Sequence, residues 1–490
     1  MGTEKQIPPE RPDFLTDSSL PSGRHHGKTH FVIVGAGIIG VCSAFYLTRH
    51  PNFDPEKHHI TIVESKRVAG GASGKAGGLL ALWAFPQQIV PLSFQLHQDL
   101  AAEFNGEKEW GYRRLTTISV EGDITETRLK NLDVKKRERT TKRSQQAEQD
   151  ATEVKSTKIT KNTRNYSMES QNSADSSPDL PEGLTWIDQR LIDGWNHLGN
   201  QNTTAQVHPY QFTTHILKQC IATGAVELII GKVEDIIIDE DSGECKGVSY
   251  YPSTAKAQYD KTADQLVELS ADKVVMSIGP WTSKILADCP ISGLRAHSIT
   301  VQPENEEDIS PFAVFTELRL NRYKFVSPEL YARKDEVYVC GEGDASVPIP
   351  ETTDDVEIVT EECDKLFGYV SKVSPTLKTG KVLKRQACYL PVLDVPSSSG
   401  PLIGETNVTN LYLASGHSCW GINNAPATGL LMSELLLDGE AKSCDISALD
   451  PSLYFDASLV FDEDAADEEE DEEDESDDEE DEEDEESYDE

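Results

Sequence analysis

The chain has 490 residues, 37% of them apolar, which is enough to build two or three domains around a sizeable core. Its formal net charge is -41, with 24 of the acidic residues in the last 29 positions, and so acidic a chain excludes general nucleic-acid binding, which needs Lys and Arg to displace counterions. The nine cysteines form no CxxC pair or Cys/His cluster, so neither a disulfide framework nor a metal site is expected.

Residues 1–29 are polar and predict a flexible leader, with no apolar core of the kind that marks a secretory signal. The longest uncharged stretch, residues 31–48, approaches the length of a membrane span but carries three spaced glycines. We therefore expect no integral membrane segment. Together with the unpaired cysteines, the leader predicts a cytoplasmic protein.

The folded part begins with an apolar run at residues 30–35 that predicts a strand, followed by a helix over residues 38–49. Between them lie Gly35, Gly37 and Gly40 in the spacing GxGxxG. The first glycine permits a tight turn, the second lets the backbone approach a pyrophosphate, and the third lets the helix pack on the strand. A second apolar run ends at Glu64, whose carboxylate can accept the ribose hydroxyls, so this order predicts a dinucleotide site.

A second glycine-rich loop follows at residues 70–79. Its small residues allow the backbone to lie close to a flat ligand, and the Ser73 hydroxyl and the Lys75 ammonium are candidates to reach a pyrophosphate or ring carbonyls. The alternative is a plain flexible loop. The other residues of the loop that we expect to contact the ligand are Gly77, Gly78 and Leu79.

The composition changes after residue 121. Residues 128–164 carry 12 Lys or Arg and very few large apolar side chains, so the segment 121–181 predicts a disordered basic insertion. A β-rich run covers residues 299–340, and residues 410–415 and 426–437 predict a final strand and helix. Residues 451–490 predict a disordered acidic tail, which is a candidate site for protein partners.

Several segments resemble the D-amino-acid oxidase superfamily, which includes glycine oxidase and sarcosine oxidase. They are Glu64 with the Gly-Ala-Ser-Gly-x-x-Gly-Gly-Leu run of residues 71–79, the strand and turn at residues 271–281, Gly404, and residues 414–429. Residues 387–391 and 416–422 are most similar to poorly characterised fungal oxidoreductases of this superfamily.

The resemblance implies an α/β fold with a Rossmann-like FAD-binding domain and a smaller antiparallel β-sheet substrate domain. Residues 30–120, part of 182–290, and 385–450 are then assigned to the FAD-binding domain, and the rest of 182–290 with 291–384 to the β-rich substrate domain. It also implies that FAD is contacted by further residues, namely Ile38, Ile39, Ser65, Val233, Gly279, Trp281, Gly421, Ile422 and Asn423.

By the same resemblance, the chemistry is oxidation of a C–N bond in a small amine or amino acid, with a hydride passing to flavin N5. The electron acceptor is open, and O2 is one candidate. The position that carries a carboxylate-binding Arg in glycine oxidase-like proteins matches Tyr389 here. The resemblance thus makes Tyr389 a candidate catalytic residue, with His417 and Arg333, and puts an amino-acid substrate in question. Arg333 is an alternative substrate anchor or a surface arginine, and His417 either polarises the substrate or supports its own loop.

Two further alternatives remain. Cys388 lies in a Lys-Arg-x-x-Cys stretch similar to the one through which sarcosine oxidase-like proteins attach FAD covalently, but a plain buried cysteine is the commoner outcome. The whole chain is either a working oxidoreductase or a flavin-binding regulatory or scaffold protein. The second alternative rests on the charged segments and on the association of similar fungal proteins with the endosomal system.

Overall fold

The computed structural model describes residues 3–4, 12–15, 18–135, 179–396 and 400–458. The helices are α1 (Ile38–Arg49), α2 (Ala72–Lys75), α3 (Val90–Glu103), α4 (Gly106–Glu109), α5 (126–135), α6 (Pro209–Ala222), α7 (Ala255–Tyr259), α8 (Thr360–Val373), α9 (Pro375–Thr379) and α10 (Gly421–Asp438). None of the helices in these ranges combines the length and apolar character that a membrane crossing requires.

The strands alternate with these helices along the chain. They are β1 (Thr3–Glu4), β2 (Thr29–Val34), β3 (His58–Glu64), β4 (Leu79–Ala81), β5 (Arg113–Arg114), β6 (Thr116–Asp123), β7 (Ile192–Gly199), β8 (Thr204–Gln206), β9 (Val226–Ile238), β10 (Cys245–Pro252), β11 (Val267–Ser270), β12 (Lys273–Met276), β13 (Ile291–Gln302), β14 (Phe312–Arg319), β15 (Phe325–Val326), β16 (Glu329–Ala332), β17 (Val337–Asp344), β18 (Ile358–Val359), β19 (Lys381–Leu393), β20 (Leu402–Glu405) and β21 (Leu411–Ser415).

The first large sheet has the strand order β11-β10-β9-β3-β2-β12-β21-β20, and its five central strands, β9 to β21, are parallel. Both of its faces are buried, as is usual for a parallel sheet. Phe31 and Ile33 of β2 pack into the cluster that contains α1, α6 and α10, while Val32 and Val34 pack into a second cluster on the opposite face. This is the Rossmann-like layer that the sequence predicts.

The second large sheet has the order β19-β13-β17-β16-β14-β6-β7, with β15 added to β14. Its pairs are antiparallel except for β6 with β14. The α/β architecture with an antiparallel substrate sheet is therefore confirmed. The sheet includes β6 and β7, which lie outside the 291–384 segment. Strand β19 crosses the boundary between the substrate and FAD-binding domains that was expected between residues 384 and 385.

The expected start of the insertion also differs from the structure. β6 continues to Asp123 and residues 126–135 are helical, so described structure extends beyond residue 121. β6 stays ordered because it pairs with β14 along its whole length. Residues 136–178 and 459–490, which make up most of the predicted insertion and tail, lie outside the described residues. The sequence predicts that the tail starts at residue 451, but residues 451–458 are described, and Pro451 and Ala457 are buried because they pack against the core.

Candidate functional site

A cavity of about 610 Å³ extends from the carboxyl ends of the parallel strands to the antiparallel sheet. Val34 and Glu64, which end β2 and β3, line one part, and Phe315, Tyr331 and Tyr338 of the antiparallel sheet line another. Open α/β sheets bind ligands at this edge, and the volume is in the range of cofactor sites.

The first glycine loop forms one wall of the cavity. Gly35 has a φ of +102°, and a Cβ there would lie 2.8 Å from the Ser277 carbonyl oxygen. Gly37 lines the cavity and immediately precedes α1, so the first N–H groups and the positive end of the helix dipole face this region. Gly40 does not line the cavity. A Cβ on Gly40 would lie 2.2 Å from the Gly35 oxygen, which agrees with its expected packing role.

Glu64 lies at the same end and is only 8% exposed. Its carboxylate accepts hydrogen bonds from the Ala36 N–H at 2.9 Å, the Lys66 N–H at 3.0 Å and the Ser65 hydroxyl at 3.1 Å. Burial raises the pKa of Glu64, and these three hydrogen bonds oppose the rise. They also fix the carboxylate beside the cavity, where it can accept a ribose hydroxyl.

The second glycine loop lies against the first. The Ser73 hydroxyl oxygen accepts from the Ile38 N–H at 2.9 Å, so it occupies one of the free donors at the start of α1. A Cβ on Gly77 would lie 2.2 Å from the ring of Tyr331, so only glycine lets this loop touch the antiparallel sheet. Ser73, Gly77, Gly78 and Leu79 line the cavity as expected.

Lys75 is not among the lining residues. Its Nζ is nevertheless buried without a hydrogen-bond partner among the described residues, and burial lowers the pKa of Lys75 to about 8. The nearby Cys388 does line the cavity. A buried ammonium that lacks a partner in the protein is suited to an electronegative group of a ligand.

The start of α10 forms a further wall. Gly421 and Ile422 line the cavity, so the positive end of this 18-residue helix faces it. Asn423, expected beside them as a ligand contact, instead accepts from the Ala81 N–H at 2.9 Å and donates to Asn424. It connects β4 to α10 and is not a lining residue.

His417 lines the cavity and is 3% exposed. Its Nε2 lies 3.1 Å from the Thr428 hydroxyl, which donates its own proton to the Asn424 carbonyl. The hydroxyl therefore accepts from Nε2–H. Burial lowers the pKa of His417 to about 3, so the ring is neutral at physiological pH. The contact with α10 supports the interpretation that His417 supports its own loop.

An aromatic recess, defined here by Phe315, Tyr331, Tyr338 and Trp420, closes the far end of the cavity, with Glu329 between its walls. The sequence analysis did not identify Phe315, Glu329, Tyr331 or Tyr338 as site residues, whereas Trp420 lies in the segment 416–422 that carries part of the family resemblance. The first four lie on β14, β16 and β17, and no local motif marks which face of each strand is turned to a ligand.

Comparisons with known proteins agree with this geometry. The family model described as FAD dependent oxidoreductase matches residues 30–435. The chain belongs to this family. It is 49% identical to Putative oxidoreductase TDA3 of Saccharomyces cerevisiae, over 92% of this chain and 98% of that protein. It is 32% identical to Putative oxidoreductase C1F5.03c of Schizosaccharomyces pombe, over 86% of this chain and 97% of that protein.

Solved structures show the same fold at low sequence identity. Glycine oxidase from Geobacillus kaustophilus has a TM-score of 0.58 at 17% identity, covering 87% of this chain and 100% of that one. Iminodiacetate oxidase from Chelativorans sp. BNC1 has a TM-score of 0.57 at 16% identity, covering 86% and 98%. The resemblance to glycine oxidase-like proteins is therefore confirmed.

FAD is the cofactor of this oxidoreductase family, and the residues of the cavity fit it. The glycine loop and the start of α1 suit the pyrophosphate, Glu64 suits a ribose, and the start of α10 suits the flavin ring edge that becomes negative on reduction. The other expected contacts, Ile38, Ile39, Ser65, Val233, Gly279 and Trp281, all line the cavity. The buried, unpartnered Lys75 is a further observation that favours a bound electronegative group.

Tyr389 does not meet the expectation of a catalytic residue. Strand alternation in β19 turns Cys388 and Leu390 toward the cavity and Tyr389 away from it. The Tyr389 hydroxyl donates to the Pro348 carbonyl at 3.0 Å. Because neighbouring residues of a strand face opposite sides, the Tyr389 side chain is turned away from a ligand in the cavity.

Arg333 also lies outside the lining of the cavity. It is 5% exposed and pairs with Glu336 at 2.6 Å. The same guanidinium donates to the Ala76 carbonyl at 2.6 Å and the Gly77 carbonyl at 3.2 Å. Both alternatives for Arg333 are therefore replaced by a third: it is a buried residue that positions the second glycine loop.

Cys388 is buried beside the cavity, as either of its interpretations requires. Burial raises the pKa of Cys388, and the neighbouring Lys75 opposes the rise. The thiol form is unreactive toward electrophiles, so burial favours a plain buried cysteine. Covalent attachment of FAD through Cys388 stays a prediction for experiment.

Proposed function

We propose that this protein oxidises a C–N bond of a small amine or amino acid, with FAD as the hydride acceptor. The observation that carries the proposal is the continuity of the cavity, which joins the FAD-binding glycine loops to the aromatic recess. A substrate in the recess is thus adjacent to the flavin. The shared fold with proteins named glycine oxidase and iminodiacetate oxidase supports the same reaction type.

The chain itself contributes positioning and electrostatics. Reduction places negative charge at the N1–O2 edge of the flavin, and the positive end of α10 stabilises such a charge. His417 stays neutral and holds the loop before this helix. The aromatic side chains would exclude water and hold the substrate in the recess, and a bound flavin would supply the hydride acceptor.

The proposal is tested by mixing the FAD-loaded protein anaerobically with a panel of primary, secondary and tertiary amines and amino acids. We expect at least one class to bleach the visible flavin absorbance, while free FAD with the same compounds stays oxidised. Admitting O2 then tests whether it is the acceptor, since the absorbance returns if it is. Failure of every compound to bleach the flavin would overturn the proposal.

The same experiment separates this function from the alternative, a flavin-binding regulatory or scaffold protein with little turnover. Protein partners of the acidic tail and an endosome-associated, cytoplasmic location belong to that alternative and stay predictions, because the tail lies outside the described residues. A protein that binds FAD and bleaches with none of the panel would favour it.

A further inference from the structure

We infer that the aromatic recess selects the positively charged head of an amine that carries no carboxylate, which it holds between aromatic rings and the carboxylate of Glu329. The inference rests on the proposed function for the fate of the bound amine, but the binding preference itself is independent of turnover. Three observations carry it: the arrangement of the rings, the position of Glu329, and the distribution of charge along the cavity.

The rings come from neighbouring strands held in register. Tyr331 of β16 is directly opposite Tyr338 of β17, and their rings stack with centroids 5.8 Å apart. Phe315 of β14 lies 5.8 Å from Tyr331, and Trp420 contributes a further ring. The Arg333 guanidinium already lies 5.0 Å from the centroid of the Tyr338 ring, so the rings left to a ligand are the other three. Ring faces carry partial negative charge and favour a cation, by about 0.5 to 2 kcal/mol per contact.

Glu329 occupies the adjacent row of the same sheet, in register with Phe315 on one side and Cys340 on the other. Its carboxylate accepts a hydrogen bond from the Tyr331 hydroxyl, and the Cys340 thiol lies 3.7 Å away. Both contacts are with neutral groups, and no ion pair of Glu329 occurs among the described residues. A half-buried carboxylate without a cation is suited to a cationic ligand.

The charge along the cavity is divided between its two ends. Among the described residues that line it, the cations are Lys232 and Lys284, and both pair with Glu351. Lys232 follows the β9 segment that pairs with β3 up to Glu64, which places it at the ribose end. Glu329 is thus the charged lining residue of the recess. Lys75, whose buried ammonium has no hydrogen-bond partner among the described residues, is not a lining residue. The carboxylate of an amino acid in the recess would therefore lie beside Glu329 without a counter-ion in the lining of the recess.

One neutral donor, Trp420 Nε1, is also buried without a partner among the described residues. A single neutral N–H contributes about 1 to 2 kcal/mol to binding an acceptor and does not offset the repulsion between two carboxylates at close range. The recess therefore favours a cation over an anion, even though it offers this one hydrogen bond to an oxygen.

Glu329 can also serve the reaction. Burial raises the pKa of Glu329, and the hydrogen bond from Tyr331 opposes the rise. An ammonium substrate has to lose one N–H proton before a hydride can leave its α-carbon. The ionised Glu329 accepts this proton, which leaves a neutral amine and a neutral carboxylic acid. A quaternary ammonium has no such proton, so it binds in the recess without being oxidised at the C–N bond.

The test compares three probes of the same shape and different charge: choline, the neutral 3,3-dimethylbutanol, and the anionic 3,3-dimethylbutanoate. Each is titrated into the FAD-loaded protein, and binding is followed by the change in the oxidised flavin spectrum. We expect choline to bind at least about tenfold more tightly than the neutral isostere, and the anion to bind most weakly. If choline binds no better than the neutral isostere, or the anion binds most tightly, the inference is overturned.

Two variants locate the effect. Glu329→Gln should reduce the preference for choline over the neutral isostere about tenfold, whereas Glu317→Gln, which removes an exposed carboxylate from the nearby strand β14, should leave the preference unchanged. If Glu329→Gln retains FAD and its melting temperature but keeps the full preference, Glu329 is not the cation site. If it does not fold, the three-probe comparison on the wild type still decides. Turnover of amino acids without any cation preference would sink this inference while leaving the proposed function intact.

Discussion

The two ends of the cavity are built on different principles. At the cofactor end, the two glycine loops and Glu64 lie within about 45 residues of one another, and the ligand is contacted there by backbone N–H groups, glycines and one acid at a strand end. The aromatic recess takes its residues from three strands of one sheet and from a turn about 80 residues farther along the chain. The first end depends on local backbone geometry, and the second depends on strand register.

The largest expected effect is at the cofactor end. Gly37→Val should abolish FAD binding, because Gly37 lines the cavity at the start of α1 and a branched side chain would fill the space of the pyrophosphate. The flavin-to-protein absorbance ratio of the purified variant measures it. Gly194→Val, at a strand glycine with no atom within 4 Å of a built Cβ, is the matched control. If the Gly37→Val protein is purified with a full complement of FAD, the pyrophosphate does not bind beside Gly37.

Arg333 connects the two ends, since it holds the second glycine loop against the antiparallel sheet. Arg333→Met removes its hydrogen bonds to Ala76 and Gly77 and leaves Glu336 as an uncompensated buried charge, so we expect a loss of about 3 kcal/mol in unfolding free energy. Urea unfolding measures it, with the exposed Arg319→Met as control, expected to change stability by less than about 0.5 kcal/mol. Unchanged stability with weaker amino-acid binding would restore Arg333 as a substrate anchor.

The buried histidines near the start of α10 and the buried Glu64 should respond to pH with opposite signs. His97 Nε2 donates to the Ile422 carbonyl at the start of α10, and burial lowers the pKa of His97 to about 4. Between pH 6.5 and 4 the unfolded chain takes up a proton that the buried ring in the folded chain does not. The folded protein therefore loses stability as pH falls. His417 adds to the same trend, because burial lowers its pKa to about 3.

Glu64 acts in the other direction. Burial raises the pKa of Glu64 above its ordinary 4.5, so the stability associated with its protonated form is lost as pH rises through the shifted value. Melting temperatures of the FAD-free protein across this range should therefore fall less steeply with acid in His97→Gln than in wild type. The melting temperature of Glu64→Gln should lack the fall that deprotonation of Glu64 causes in the wild type as pH rises above 4.5. The exposed His197→Gln should follow the wild type. A steeper acid loss in His97→Gln would contradict the assignment.

The smallest expected effect concerns Cys388, at the junction of the two ends. Because burial favours the thiol, we expect acid precipitation to release FAD from the wild type, and Cys388→Ser to bind FAD with a similar visible spectrum. The supernatant absorbance after precipitation decides the first point. Flavin retained in the wild-type pellet and released from the variant would establish covalent attachment instead.

Most of the residues that the sequence predicts as FAD contacts line the cavity. Gly35, Gly37 and Glu64 lie where the GxGxxG spacing and the strand-end acid placed them, because a pyrophosphate is bound by backbone groups whose geometry a short motif determines. The α/β class followed from the same alternation of strands and helices. The predictions that Lys75 and Asn423 contact the ligand were less accurate. The direction of a single side chain in a loop or a first helical turn depends on its packing.

Only the tertiary structure decided the composition of the recess. Tyr389 and Arg333 have side chains that could bind a substrate. Strand alternation turns Tyr389 away from the cavity, and Arg333 forms a buried ion pair with Glu336. Phe315, Glu329, Tyr331 and Tyr338 carry no motif, and they meet because β14, β16 and β17 pair in one particular register. A shift of one residue in such a strand moves every side chain to the other face, so a site built from side chains across a sheet is determined by long-range pairing that no local pattern records.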